Sequence, residues 1–242
     1  MTNVTSLPTD IAAFDADLRR ILTTCPTNER AAEIAAFTRR YSERDPVTGI
    51  VGAVCASSNM LVACAGKSVR HPLGFDKFVL HSADLYQLRL HVWWPGEAHD
   101  IEHIHNHRFS FVSGIIAGQI SVASYRLERH GVPHTRFRET KDPVAGRYAY
   151  RPSGPVEATL ASLQTLCTGC AYYLDSGELH RVQAAGGGLA ATLFIRFPRN
   201  RENTDVLVAA NGALPVTGWR ETMGVDETRR RLGSFASMMS AA

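Results

Sequence analysis

The stretch Glu102-His103-Ile104-His105-Asn106-His107-Arg108-Phe109-Ser110-Phe111 sets three histidines at alternate positions, followed by two phenylalanines in the same phase. Successive side chains of a β-strand point to opposite faces, so these five residues share one face of a strand. A single histidine is ordinarily a satisfied core or surface residue. An alternating set entering a β-rich region, with a further histidine downstream, is a candidate metal site. Imidazole is the commonest neutral ligand of first-row metals, and two ligands from one strand need at least one more from elsewhere. His180, in Leu174-Asp175-Ser176-Gly177-Glu178-Leu179-His180-Arg181-Val182, is that candidate, because the turn at Ser176-Gly177 puts it near the start of a new strand.

Outward from these segments, the chain from about Phe75 to Pro198 is a series of short β-rich runs, at 85–94, 109–116, 119–127, 171–174 and 190–197. Pro95-Gly96, Ala117-Gly118, Ser176-Gly177 and Gly186-Gly187-Gly188 punctuate them. Many short strands at this spacing predict an all-β barrel or sandwich. The segment 128–155, polar and interrupted by glycines and prolines, reads as a hairpin insertion or a long loop. Upstream the texture is helical. Ile11, Phe14, Leu18, Ile21 and Leu22 recur at helical spacing after Pro8; a second helix starts near Thr27 and ends at Asp45-Pro46; a small-residue helix is expected over 50–65. The tail after Arg199 reads as polar with one helix over 226–235. The expected organisation is a helical extension over 1–66, a barrel over 67–200 and a tail over 201–242.

The composition narrows the partners. The chain has 242 residues, 45% hydrophobic and 20% charged, which is long enough and apolar enough to bury a core and excludes disorder. The formal charge of +3 comes from scattered residues, so nucleic acid and a membrane surface are not expected partners. Only Lys67, Lys77 and Lys141 are lysines; the arginines are too widely spread to mark a site. Five cysteines and a start (MTNVTSLPTD) without a basic, then apolar, segment predict reduced thiols in a cytoplasmic protein. Cys167-Thr168-Gly169-Cys170 has CxxC spacing but no second ligand pair for a zinc ribbon. The expected partner is a small molecule, and the expected state a monomer or homodimer.

Around the histidines the sequence resembles the cupin superfamily. Its first motif pairs HxH with a glutamate four or five positions on and a glycine seven after that; here His105 and His107 are followed by Phe111 at the glutamate position and by Gly118. Its second motif is matched by Gly169, Asp175, Gly177 and His180 at every spacing, with aspartate in place of proline and Ala184 in place of the closing asparagine. The resemblance covers about half of the chain and implies a mainly β fold, a double-stranded β-helix or jelly-roll barrel with N-terminal helices. Phe111 removes the carboxylate ligand, which is similar to the three-histidine branch represented by the thiol dioxygenases of the cysteine type. The implied ligands are His105, His107 and His180. His103 with His105 is the alternative first pair; otherwise His103 lies beside the site or at the surface. The Ser-His-Tyr relay of that branch is absent from Ala191-Thr192-Leu193-Phe194-Ile195-Arg196-Phe197, which argues against cysteine as substrate. Lys77 is nearest to the arginine that such enzymes use for a substrate carboxylate, or else is a solvated loop residue.

Three neutral ligands leave a divalent ion its full charge and three open positions, so the resemblance implies Fe(II) acting with O2 on a small polar, anionic metabolite, with no nucleotide or organic cofactor. Zinc or another divalent metal in the same site would instead support lyase, isomerase or hydrolase chemistry. A non-catalytic metal-dependent binding module is the third expectation. Phe109 and Phe111 would keep the site partly dry. Arg89 and His91 either line the same cavity or form an outward pair, the latter being the simpler expectation. Arg108 reads as structural, and His130 and His134 as exposed loop residues.

Overall fold

The computed structural model describes residues 7–71, 74–97, 102–141, 148–210, 212 and 222–241. Helices α1 (Thr9–Thr24) and α2 (Thr27–Tyr41) each follow a proline, a residue that cannot continue a helix upstream but suits its start. Ile11, Phe14, Leu18 and Ile21 form the buried stripe of α1, and Ile34, Phe37 and Thr38 that of α2. The single helix expected over 50–65 is two, α3 (Arg44–Ala56) and α4 (Ser58–Ala65), bent by 99°. Ser57 stands at the break, its hydroxyl accepting a hydrogen bond from the Met60 N–H at 3.5 Å. Asp45-Pro46 does not end the second helix; it lies in the first turn of α3, where a proline has no intrahelical hydrogen bond to lose. No single helix among the described residues is long and apolar enough to cross a membrane.

The strands are β1 (Val69–His71), β2 (Phe75–Ser82), β3 (Gln87–Trp93), β4 (Ile104–His105), β5 (Phe109–Ala117), β6 (Gln119–Lys141), β7 (Tyr148–Cys167), β8 (Ala171–Leu174), β9 (Leu179–Ala185), β10 (Ala190–Arg199) and β11 (Thr204–Ala209), followed by helix α5 (Val225–Ala241). They form a six-stranded sheet in the order β1-β2-β3-β10-β5-β8 and a five-stranded sheet in the order β11-β4-β9-β6-β7. Every described pairing is antiparallel, and β11 also pairs with the distal half of β6. This is a mainly β, two-sheet architecture with N-terminal helices, as the resemblance implied. Within the expected hairpin segment, the described residues form two antiparallel arms, paired from Val132 with Ala158 to Lys141 with Tyr148; residues 142–147 lie outside the described ones. The polar tail contains an unexpected strand, β11, and its helix is longer than the 226–235 expected.

Alternation gives the six-stranded sheet two unlike faces. Leu88, Leu90 and Val92 of β3, Val112 and Ile116 of β5, and Ala191, Leu193 and Ile195 of β10 belong to one buried cluster with Phe14, Phe37, Val47, Leu232 and Phe235 of the helices. The intervening residues face the barrel interior, where Phe111, Leu174 and Phe194 cluster. Asp15 ties α1 to the sheet, accepting from the Tyr86 hydroxyl at 2.9 Å and from Arg19 Nε at 2.8 Å. Asp76 ties α5 to it, paired with Arg231 and accepting from Trp94 Nε1 at 2.7 Å.

Helix α2 seats on β5 at Gly114, where a Cβ would fall 2.1 Å from Ser42 Oγ and 2.9 Å from Thr38 Cγ2. Gly114→Ala is expected to lower stability by about 1–3 kcal/mol through overpacking. Gly52→Ala, on the exposed side of α3 with nothing within 4 Å, is expected to raise it by about 0.5–1 kcal/mol. Urea unfolding of the two variants reads both signs; an unchanged midpoint for Gly114→Ala would mean that α2 does not seat on β5 in this way.

Candidate metal centre

The two histidine segments meet because β4, only two residues long, is sandwiched between β11 and β9, with His105 directly opposite His180. The ring centroids of His105 and His180 are 4.6 Å apart, those of His105 and His107 4.8 Å, and those of His107 and His180 4.9 Å. One ring nitrogen from each lies within 4.8 Å of the other two. Asn106, between the ligating positions, points the other way and is buried. Its amide oxygen accepts from the Asp205 N–H at 2.7 Å, its NH2 donates to Asp205 Oδ2 at 3.1 Å, and its backbone N–H donates to the Asp205 carbonyl at 3.1 Å. His107 continues past the strand, its N–H bonded to the Ser176 carbonyl at 3.1 Å, which joins it to the turn before His180.

Tautomers follow from the backbone. His105 Nδ1 lies 2.9 Å from the His103 carbonyl and His180 Nδ1 lies 3.1 Å from the Glu178 carbonyl. A carbonyl only accepts, so each Nδ1 carries a proton and Nε2 is the atom left to meet a metal, the arrangement common in metal-binding histidines. Burial, and then the neighbouring His105, push His180 down to about 3; burial likewise holds His107 well below the usual histidine range. Both are therefore neutral at ordinary pH. This donor set fits a divalent metal of the zinc or iron type: three neutral nitrogens on one side and no carboxylate among them.

The other expected residues fall as follows. His103 is outside the cluster and contributes its carbonyl to orienting His105. Phe109 stacks on His107 at 5.0 Å, and Phe111 lies edge-on to it at 5.1 Å and 5.7 Å from His180. Arg89 and His91 are not an outward pair. They alternate with the helix-facing Leu88, Leu90 and Val92 and so face the interior, where the Arg89 guanidinium lies over Phe109 and Phe194 at 5.4 and 5.6 Å. Lys77 is half-buried directly opposite His91. The Arg108 carbonyl accepts from the N–H groups of Asn200 and Arg201, and its guanidinium lies 3.8 Å from Glu139, in keeping with a structural role. His130 and His134 lie on the hairpin, outside the cluster.

Several residues were not singled out by their pattern. Glu102 lies inside the barrel, its Oε2 accepting from the Val182 N–H at 2.8 Å, and burial raises its pKa. Tyr172 is similarly deep, its pKa raised by burial. Glu102, His107 and Tyr172 are each half-buried by exposure. Asn106 was legible only as the residue between two histidines. Its value comes from β11, which is 99 positions away in the chain.

His180→Ala is expected to lower the metal bound per chain at least several-fold, and His103→Ala to leave it nearly unchanged. Metal analysis after dialysis against a weak chelator checks this; equal losses would mean that the ligating pair is His103 and His105.

No protein-family model matches the chain, and no curated protein matches it in sequence. Solved structures are similar over about half of it. A variant of oxalate decarboxylase from Bacillus subtilis is 16% identical over 56% of this chain and 29% of its own, with a TM-score of 0.34. Hydroquinone 1,2-dioxygenase from Sphingomonas sp. TTNP3, with 4-hydroxybenzoate bound, is 16% identical over 50% of this chain and 64% of its own, with a TM-score of 0.33. A cupin-2 domain-containing protein from Shewanella frigidimarina is 13% identical over 50% of this chain and 79% of its own, with a TM-score of 0.29. His105, His107 and His180 thus converge as a three-histidine centre within a two-sheet antiparallel barrel, at the spacings of the two motifs that resemble those of cupins.

Proposed function

We propose that the protein is a non-haem Fe(II)-dependent oxygenase acting with O2 on a small anionic metabolite inside the barrel. The observation that carries this reading is a ligand cluster of three imidazoles with no carboxylate, facing an interior lined by Arg89 and Lys77. When bound, a divalent iron would supply a doubly charged centre with positions open to both an anionic group and O2. The chain's own residues prepare that chemistry. The carbonyls of His103 and Glu178 fix the ring orientation of His105 and His180. Phe109, Phe111 and Phe194 exclude water from the same side, which strengthens electrostatic contacts with a charged substrate. Arg89, whose charge reaches His107, and Lys77, across the ladder from His91, add positive charge to the inner wall.

A second reading, a zinc or other divalent-metal lyase, isomerase or hydrolase, is favoured by Glu102. A buried carboxyl with a raised pKa close to the histidines is suited to general acid–base work without O2.

Anaerobic purification with metal analysis, followed by oxygen-electrode measurements with a panel of small thiol, hydroxy and phenolic carboxylates, separates the two. The oxygenase reading expects iron near one per chain and substrate-dependent O2 consumption that His180→Ala abolishes. A zinc-loaded protein that converts the same compounds equally well under argon would contradict it.

A further inference from the structure

The inner faces of β3 and β10 carry a pair of polar groups that the histidine cluster does not use. His91 and Thr192 are direct cross-strand partners, 9% and 2% exposed, and each alternates with residues packed on the helices. His91 Nε2 and Thr192 Oγ1 are both buried with no hydrogen-bond partner among the described residues. Buried polar atoms in folded proteins are nearly always satisfied, and two orphans side by side on one interior wall mark a place where a ligand group belongs.

The charge around them says what kind of group. The inward positions flanking the pair are Phe75, Lys77 and Val79 on β2, Gln87, Arg89 and Trp93 on β3, and Ala190, Phe194 and Arg196 on β10. Three of these are cations and none is acidic. Burial, followed by the charges of Arg89 and Lys77, holds His91 neutral. A neutral imidazole N–H and a threonine O–H can both donate to one oxyanion, with the nearby cations balancing its charge. The path from the pair towards the cluster is flat and apolar: His91 lies 4.7 Å from the Phe194 ring, Phe194 stacks on Phe111 at 4.4 Å, and Phe111 lies 5.1 Å from His107.

We propose that His91 and Thr192 form a carboxylate-binding subsite, so that the barrel takes a carboxylate with a flat apolar or aromatic body lying along Phe194 and Phe111 towards the histidine cluster. This rests on the interior being the substrate site, as in the oxygenase reading, but it requires no particular reaction. The unpaired Thr192 hydroxyl is a local cost to the folded protein that the ligand relieves.

The test is calorimetric titration of the metal-loaded protein under argon with benzoate and 3-phenylpropanoate, and with their neutral amides. At least one carboxylate is expected to bind ten or more times more tightly than its amide. Thr192→Val, which keeps the shape and removes the hydroxyl, is expected to weaken carboxylate binding about tenfold, to raise the melting temperature and to leave metal content unchanged. Thr192→Ser is expected to keep carboxylate affinity near that of the parent protein. Equal binding of acids and amides, no binding of either carboxylate, or full affinity in Thr192→Val would each overturn the proposal. Full affinity with a lowered melting temperature would assign the hydroxyl to a structural water, and full affinity that disappears in His180→Ala would assign the carboxylate to the metal alone. Oxygen consumption does not enter, so failure of the oxygenase reading and failure of this subsite are separately visible.

Discussion

A single cross-strand pair, His105 against His180, joins the two halves of the site, and the rest of the interior is arranged around it. The pairing is short because β4 has only two residues, so it gains little from its own ladder. It is held from outside by β11, whose Asp205 takes three hydrogen bonds with Asn106. Asn106 is held away from the cluster by Asp205, and the His107 N–H by the Ser176 carbonyl, which leaves the His105 and His107 rings beside His180. The result is a set of imidazoles brought together in a poorly solvated place, two of them driven to the neutral form by burial. One ring nitrogen from each lies within 4.8 Å of the other two, an arrangement suited to a shared divalent cation.

The same sheet that supports this site also carries the main core, and the two roles are separated by phase. On β3 and β10 the helix-facing residues are aliphatic and packed, while their neighbours in the sequence, Arg89, His91, Thr192, Phe194 and Arg196, turn inward. A rigid outer layer lets the inner layer break rules that the core obeys, including buried polar atoms without partners. Positive charge and aromatic surface are concentrated on the inner faces of β2, β3 and β10, while the buried carboxyl of Glu102 lies by the histidines. Asp76, next in sequence to Lys77, instead meets Arg231 and Trp94 at the helix side.

Much of this was legible in the sequence. The spacing from His107 to Gly118 and from Gly169 to His180 located both motifs, and the helical periodicity of Ile11, Phe14 and Leu18 located α1. The elements without a sequence pattern lack one for physical reasons. Strands of two or three residues, such as β4 and β1, have no period to detect, and β11 is six residues flanked by charged and polar positions. Of the two facings open for Arg89 and His91, the solvent-facing one is the simpler from a polar alternation; here the opposite face packs on the helices, so the polar positions turn inward. Glu102 and Thr192 gave no pattern at all. Their significance comes from depth and from the partners they have or lack, which only the assembled barrel defines.

X-ray absorption at the metal edge of the loaded protein tests the central claim most directly, because imidazole rings give a multiple-scattering pattern that can be counted. The account predicts three histidine nitrogens at about 2.0–2.2 Å, with oxygen donors that give no imidazole scattering completing the shell, and two histidines in His180→Ala. A parent spectrum with one histidine or none, or with sulfur from the cysteines in the shell, would contradict the convergence of His105, His107 and His180 on one ion.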